Sequence, residues 1–189
     1  RDGFSAFGRS NPRATFPSLA LAWNFSNESF FNWDPMSNGK LRISWGKNGN
    51  RDIGIYQALS QLTTGSGISK YSYATSAGTL YELSTLQIER MANNDLKWES
   101  TASWNVGLDF GFLNNRINGS LEWYYMPTTD LLMDRTLPNI SGYSSVVTNL
   151  GKVVNSGFEI SLHSVNIDNE NFSWNTAFNL SHNKNRIKH

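Results

Sequence analysis

The chain of 189 residues has no cysteine, little charge and no long apolar run, and each absence removes a class of explanation. Without cysteine there is neither a disulfide framework nor a thiolate metal site. The 16 Lys and Arg nearly balance 15 Asp and Glu, and the basic residues are scattered along the sequence. A formal net charge of +1 offers no field to draw in nucleic acid, which is not expected as a partner. No apolar stretch approaches the roughly 18 residues of a membrane-spanning helix. The opening RDGFSAFGRS lacks the apolar core of a signal peptide, so the start reads as internal or processed.

Charged residues make up 16% of the chain, against roughly 25% in a typical soluble domain. Aromatics reach 13%, with seven Trp, and the missing polarity comes from Asn, Ser, Thr and Gly, which suit wet strand faces and turns. The order of these residues is that of β-strands. In SWNVGLDFGF, Trp104, Val106, Leu108, Phe110 and Phe112 alternate with Asn105, Gly107, Asp109 and Gly111. After the turn LNNR, Ile117, Leu121, Trp123 and Tyr125 alternate with Asn118, Ser120, Glu122 and Tyr124. Phe158, Ile160 and Leu162 alternate with Glu159, Ser161 and His163, and beyond DNEN the residues Phe172, Trp174, Phe178 and Leu180 oppose Ser173, Asn175, Asn179 and Ser181. Upstream, Leu19, Leu21, Trp23 and Phe25 oppose Ala20, Ala22, Asn24 and Ser26, and Leu41, Ile43 and Trp45 oppose Arg42 and Ser44. Six strands in three hairpins are predicted, at about 18–26, 40–48, 103–112, 116–126, 156–167 and 172–182.

Two all-β architectures fit such alternation. One is a soluble antiparallel β-sandwich binding glycan through exposed aromatics, with Trp104, Trp123 and Trp174 shielded between two sheets. The other is a transmembrane β-barrel segment. Strands of about ten residues, a Trp-, Phe- and Tyr-rich apolar face and a face mixing Asn, Ser and Gly with Asp109, Glu122, Glu159 and Arg42 favour the barrel. Connection lengths agree: residues 113–116 and 168–171 are short links, whereas about 49–102 and 127–155 are long. Outer-membrane barrels pair short periplasmic turns with long extracellular loops, and alternating strand direction puts both long links outside. The link through FFNWDPMSNG is long for a periplasmic turn and is expected to hold a short helical turn. Six strands cannot close a membrane pore, whose smallest form uses eight, so the chain is expected to be part of a larger wall.

Specific strings then narrow the family. NNDLKWESTASWNVGLDFGFLNNRINGSLEWYYMPTTDLLMDRTLP, residues 93–138, resembles the barrel region of SusC/RagA-type TonB-dependent receptors, in which a DLKWE-like loop end, an N-x-GLDFG strand, an NNR turn, a G-S-x-x-YY strand and a T-x-DLL exit follow in this order. RDGFSAFGRSNPRATFPSLALAWNFSNESFF resembles the family's DGSSRFG…FPS-x-x-x-W stretch, and LRISWGKNGNRDIGIY its LR-x-S-x-G-x-x-GN stretch. Asn149, Gly151, Asn155, Gly157, Glu159 and FSWNTAFNLSHNKNRI follow the pattern too, leaving only about 57–92 without a match. Met126-Pro127 and Ser156 depart from it without touching the fold.

The resemblance implies a 22-stranded barrel of the Gram-negative outer membrane whose lumen is filled by a plug. It implies TonB-driven import of oligosaccharides or peptides, a SusD-like surface lipoprotein as lid and no cofactor, with the plug and the TonB-contacting segment toward the N-terminus, outside this chain. A passive porin or an outer-membrane enzyme would keep the barrel without the plug. His163, His182 and His189 lack metal-ligand spacing and are expected to be solvated or lumen-facing. Asp109, Glu122 and Glu159 fit a polar barrel interior without catalysis, no nucleophile elbow or phosphate loop is present, and an enzyme is not expected. The glycines at 65–67 are loop glycines and the Asn118-Gly119-Ser120 string carries no weight. Tyr71, Tyr73 and Tyr81 in YSYATSAGTLYEL are the candidate substrate-binding residues, able to stack on sugar rings or to face a lid protein, although packing within the loop would also use them.

Overall fold

The computed structural model describes all residues except 5–6, 8–9, 53, 55–57, 64–70, 77, 79, 84–86, 144 and 189. The glycines at 65–67 and His189 lie outside the described residues. Two compact units form, one from Thr15–Asn50, Glu99–Asp130 and Gly151–His189, the other from Arg1–Ala14, Arg51–Trp98 and Leu131–Leu150.

The first unit is one sheet of six strands: β1 (Ser18–Trp23), β2 (Met36–Asn50), β3 (Glu99–Phe112), β4 (Ile117–Thr129), β5 (Lys152–Asn169) and β6 (Phe172–Lys188). Each strand pairs antiparallel with its neighbours in sequence, and β1 and β6 do not pair with each other. The register stacks like with like. Leu21, Ile43, Val106, Trp123, Phe158 and His182 form one cross-strand row, and Trp23, Leu41, Leu108, Leu121, Ile160 and Leu180 the next on the same face. On the opposite face between them run Ala22, Arg42, Gly107, Glu122, Glu159 and Ser181. A one-residue slip of any strand would exchange the two faces, so the pattern itself fixes the pairing.

The apolar face of this sheet lies open. Trp104, Trp123 and Trp174 are 45%, 48% and 54% exposed, which overturns the sandwich alternative, where they would be shielded. The strands also outrun the predicted spans: β2 begins at Met36 and ends at Asn50, β3 begins at Glu99, β5 runs from Lys152 to Asn169 and β6 ends at Lys188, while β1 stops at Trp23. The added ends are mostly polar, with Met36, Val153, Val154 and Ile187 as their apolar residues and no sustained alternation, so their ladder hydrogen bonds continue where the apolar rhythm has stopped.

The apolar band crosses the hydrogen-bonded rows obliquely. On β2 its edge toward the long links is Trp45, whereas on β6 it is Leu180, which lies level with Leu41 through Leu108, Leu121 and Ile160. The edge stays level from β2 to β4, where Trp45, Trp104 and Tyr125 share a row, and then falls by four residues across β5 and β6. Strands of a membrane barrel tilt against the lipid slab, and a band edge that falls toward β6 accords with such a tilt.

The two long links leave from one end of the sheet, where Asn50 faces Glu99 and Thr129 faces Lys152. At the other end, Leu113, Asn114 and Asn115 have φ of 53°, 57° and 63°, and Arg116 N–H bonds the Leu113 carbonyl at 3.2 Å. Positive φ at both central residues is what a two-residue hairpin turn demands and what Asn tolerates. The link between β1 and β2 holds a 3-10 turn at Phe25–Asn27 and folds into aromatic packing: Phe25 meets Trp23 at 6.0 Å and Phe31 at 5.3 Å, and Trp33 meets Phe112 at 5.7 Å. In β5 the register shifts between Val165 and Ile167, so that Ile167 pairs with Trp174 and returns to the apolar face. Arg116 pins this bulge, its Nη2 donating to the Asn166 carbonyl at 2.9 Å and the Val165 carbonyl at 3.2 Å.

The second unit carries short antiparallel pairs: Asp2–Gly3 with Arg13–Ala14, Gln61–Thr63 with Gln87–Arg90, Tyr71–Ala74 with Leu80–Leu83, and Leu132–Thr136 with Ser145–Asn149. Among the described residues, its buried apolar ones are Phe7, Ala58, Leu96 and Trp98.

Candidate functional site

The polar face of the sheet centres on Arg42 of β2. Its Nε and Nη2 donate to the two Asp109 carboxylate oxygens at 2.8 Å each, and Nη2 also donates to Glu122 Oε1 at 2.7 Å. The alternation that carries Leu41 and Ile43 to the other face brings Arg42 opposite Gly107, and a Cβ on Gly107 would stand 3.0 Å from the guanidinium carbon. Glycine at 107 therefore lets the guanidinium lie down on β3 and reach carboxylates on β3 and β4. The three side chains remain about a third exposed, at 34%, 29% and 31%. Arginine does not release its proton, so both carboxylates act here as acceptors that tie three strands together.

Around this network the same face is mostly polar, with Met126, Val153 and Ile187 toward the end that carries the long links. Tyr124 lies over Gly157, where a Cβ would come 2.7 Å from the phenol oxygen. Thr101 and Thr128 hydroxyls meet at 2.8 Å, and Asn185 Nδ2 donates to Asn155 Oδ1 at 2.6 Å. Glu159 stands beside Glu122 in the ladder, so the structure gathers the three predicted carboxylates in one region, with Arg42 as counter-charge to Asp109 and Glu122. His163 pairs with Asn118 on this polar face, whereas His182 shares the apolar face with Phe158, ring centroids 5.6 Å apart. Among the described residues no group of His, Asp and Glu is arranged to hold a metal ion.

The three tyrosines fall in the hairpin of the second unit. Tyr73 pairs with Tyr81, and Tyr71 with Leu83, so the backbone places positions 71, 73 and 81 on one face of a two-stranded ribbon.

In that unit the strings that carry the family resemblance converge. Phe4 and Phe7 pack on Trp98 at 6.3 and 5.4 Å, the Arg51 guanidinium lies 4.8 Å from the Phe4 ring centre and 5.8 Å from that of Trp98, and Asp2 sits 3.9 Å from Arg51. RDGFSAFG, the RD at 51–52 and DLKWE thus meet in one cluster. Asn149 holds the middle of DLKWE: its Nδ2 donates to the Lys97 carbonyl at 2.8 Å and its Oδ1 accepts from Lys97 N–H at 2.9 Å. Asn93 adds a bond to the Val147 carbonyl at 2.8 Å. The roles of Asn93 and Asn149 had no periodic signal in the sequence; only the order of the motifs marked them.

Comparison with known proteins agrees with this geometry. Residues 1–188 match the family described as TonB dependent receptor-like, beta-barrel. The chain is 38% identical over 188 residues to a TonB-dependent receptor of Formosa agariphila and 37% identical over 188 residues to the TonB-dependent receptor SusC of Bacteroides thetaiotaomicron. These alignments cover 99% and 98% of this chain and 18% of each relative, so the chain spans under a fifth of the proteins it matches. Among solved structures, the RagAB peptide importer in its 'open-open' state superposes with a TM-score of 0.80 at 29% identity, covering 98% of this chain and 19% of that one. With the two-faced sheet, the oblique apolar band and matches along essentially its whole length, the chain belongs to the TonB-dependent receptor β-barrel family, in the company of SusC and RagA.

Proposed function

We propose that this chain forms part of the wall of an outer-membrane importer that is driven by TonB and takes up oligosaccharides or peptides together with a SusD-like surface lipoprotein. The observation that carries the proposal is the division of one sheet into an apolar face whose band edge falls toward β6 and a polar face knit by Arg42, Asp109 and Glu122. A lumen filled by a plug needs such a charged, hydrogen-bonding lining, and lipid needs the aromatic and aliphatic one. In this reading the wall serves as scaffold, and membership in a family of receptors supports a transporter rather than an enzyme. If the long links are extracellular, the hairpin bearing Tyr71, Tyr73 and Tyr81, which belongs to one of them, is the candidate contact for an incoming ligand or the lid. RagAB is a peptide importer, and the likeness to it supports peptides as one ligand class.

The test uses the full-length protein in its native cells. It is expected to fractionate with the outer membrane, to shift its gel mobility on heating, and to accumulate labelled oligosaccharides or peptides only when TonB and the lipoprotein are present. A detergent-free soluble protein would overturn the proposal. Uptake that persists without TonB would identify a passive pore instead.

A further inference from the structure

Beyond the apolar band, the outward face of the sheet turns basic. Leu180 is the last apolar residue on that face of β6, and the positions that follow it with the same parity are His182, Lys184, Arg186 and Lys188. Lys188 pairs with Lys152 of β5, so a fifth basic residue joins them, and Val154 and Ser156 fill the places between Lys152 and Phe158. The contact of His182 with Phe158 confirms which face this parity occupies. Lys152, Lys184, Arg186 and Lys188 form no ion pair among the described residues. The carboxylate of Glu159 lies on the other face, with Ser181, Asn183 and Asn185. A chain with almost no net charge therefore places four permanent cations and an imidazole on one outward patch.

The level of the patch matters as much as its sign. Directly beneath it on the same face is a shallow groove of about 300 Å³ whose walls include Leu108, Leu121, Trp123, Phe158 and Ile160. Apolar side chains below and cations above, on the same face of the sheet, match an amphiphile with acyl chains and an anionic head, and do not match a free anion, which has no use for the groove. Basic clusters at the membrane boundary bind anionic lipid headgroups in this way.

We infer that Lys152, Lys184, Arg186 and Lys188 hold the phosphate of a phosphorylated glycolipid of the outer leaflet, whose acyl chains lie over Phe158 and Ile160. The inference rests on the proposed orientation, with the long links outside, because that puts the patch at the extracellular boundary. The bound headgroup would tether the wall in its leaflet and fix its height.

The experiment takes the full-length receptor in detergent and measures, by native mass spectrometry, retention of added lipid A against lipid A stripped of its phosphates. The wild type is expected to retain the phosphorylated lipid alone. Replacing Lys184, Arg186 and Lys188 together with Gln should lower apparent affinity by about a hundredfold, roughly fivefold per cation. The Lys184→Arg, Lys188→Arg pair should retain the lipid, and Arg135→Gln, in the Leu132–Thr136 strand, should change nothing. If the triple variant fails to fold, raised salt applied to the wild type must release the lipid instead. Equal retention of the dephosphorylated lipid, unchanged retention by a folded triple variant, or salt-insensitive binding would overturn the inference, and so would finding the cations paired with carboxylates of an adjoining strand. A receptor that never reaches the outer membrane would overturn the proposed function; one that does, but holds no lipid at this patch, overturns only the inference.

Discussion

Asn149 grips the backbone of Lys97 at both ends, its amide donating to the carbonyl at 2.8 Å and accepting from the N–H at 2.9 Å. A side chain here takes the part of a neighbouring strand, holding the residue between buried Leu96 and Trp98 in place. Asn149→Ala removes both bonds at once and should cost about 1–3 kcal/mol locally. Hydrogen exchange is expected to accelerate at 93–98 and 145–150 while β2 to β5 stay protected. Equal exchange in the two proteins would show that the grip contributes nothing.

The turn after β3 offers a sharper contrast. Asn114 has φ of 57°, a conformation that a β-branched side chain resists. We expect Asn114→Val to lower stability by about 1–2 kcal/mol and Asn114→Gly to leave it nearly unchanged. The readout is the urea midpoint at which the folded, heat-modifiable band of the full-length receptor is lost. A Val variant as stable as the Gly variant would contradict the assigned turn.

Arg42 and Asp109 should behave as one unit. Arg42→Leu leaves two carboxylates facing each other without their shared cation, and Asp109→Asn takes away the bidentate acceptor. The groups are partly exposed, so a coupling of about 1 kcal/mol is expected in a double-mutant cycle on the same urea midpoint. Additive losses would mean that the ion pair adds nothing to the wall.

Tryptophan position is open to direct test. In full-length variants carrying a single remaining Trp, Trp104, Trp123 or Trp174 should be quenched strongly by lipids brominated along their acyl chains, whereas Trp98, buried against Phe4 and Phe7, should be quenched little. The reverse order would place the apolar face away from lipid.

Much of this was legible from residue order. Strict alternation in 103–112 and 117–125 revealed both faces, and the paired Asn of LNNR revealed the turn. Strand lengths were not, because at 36–38, 99–102 and 183–188 apolar residues are too few and too irregularly placed to give the rhythm that betrays a strand. The Arg42 network was visible only as separate polar positions, since its partners lie 67 and 80 residues away and nothing local pairs them. The clamps by Asn93 and Asn149 were hidden for the same reason, an amide leaving no periodic trace.

The bulge at Asn166 bears on how such a wall tolerates length changes over generations. A strand whose successive residues alternate between oil and water cannot gain or lose one residue quietly, because everything beyond the change would swap environments. β5 shows the escape: one extra residue, left out of the count and anchored by Arg116, restores the phase for Ile167. Insertions and deletions in these strands should therefore survive in twos, or singly where an arginine or asparagine stands by to absorb the surplus carbonyl, and freely only in the long links.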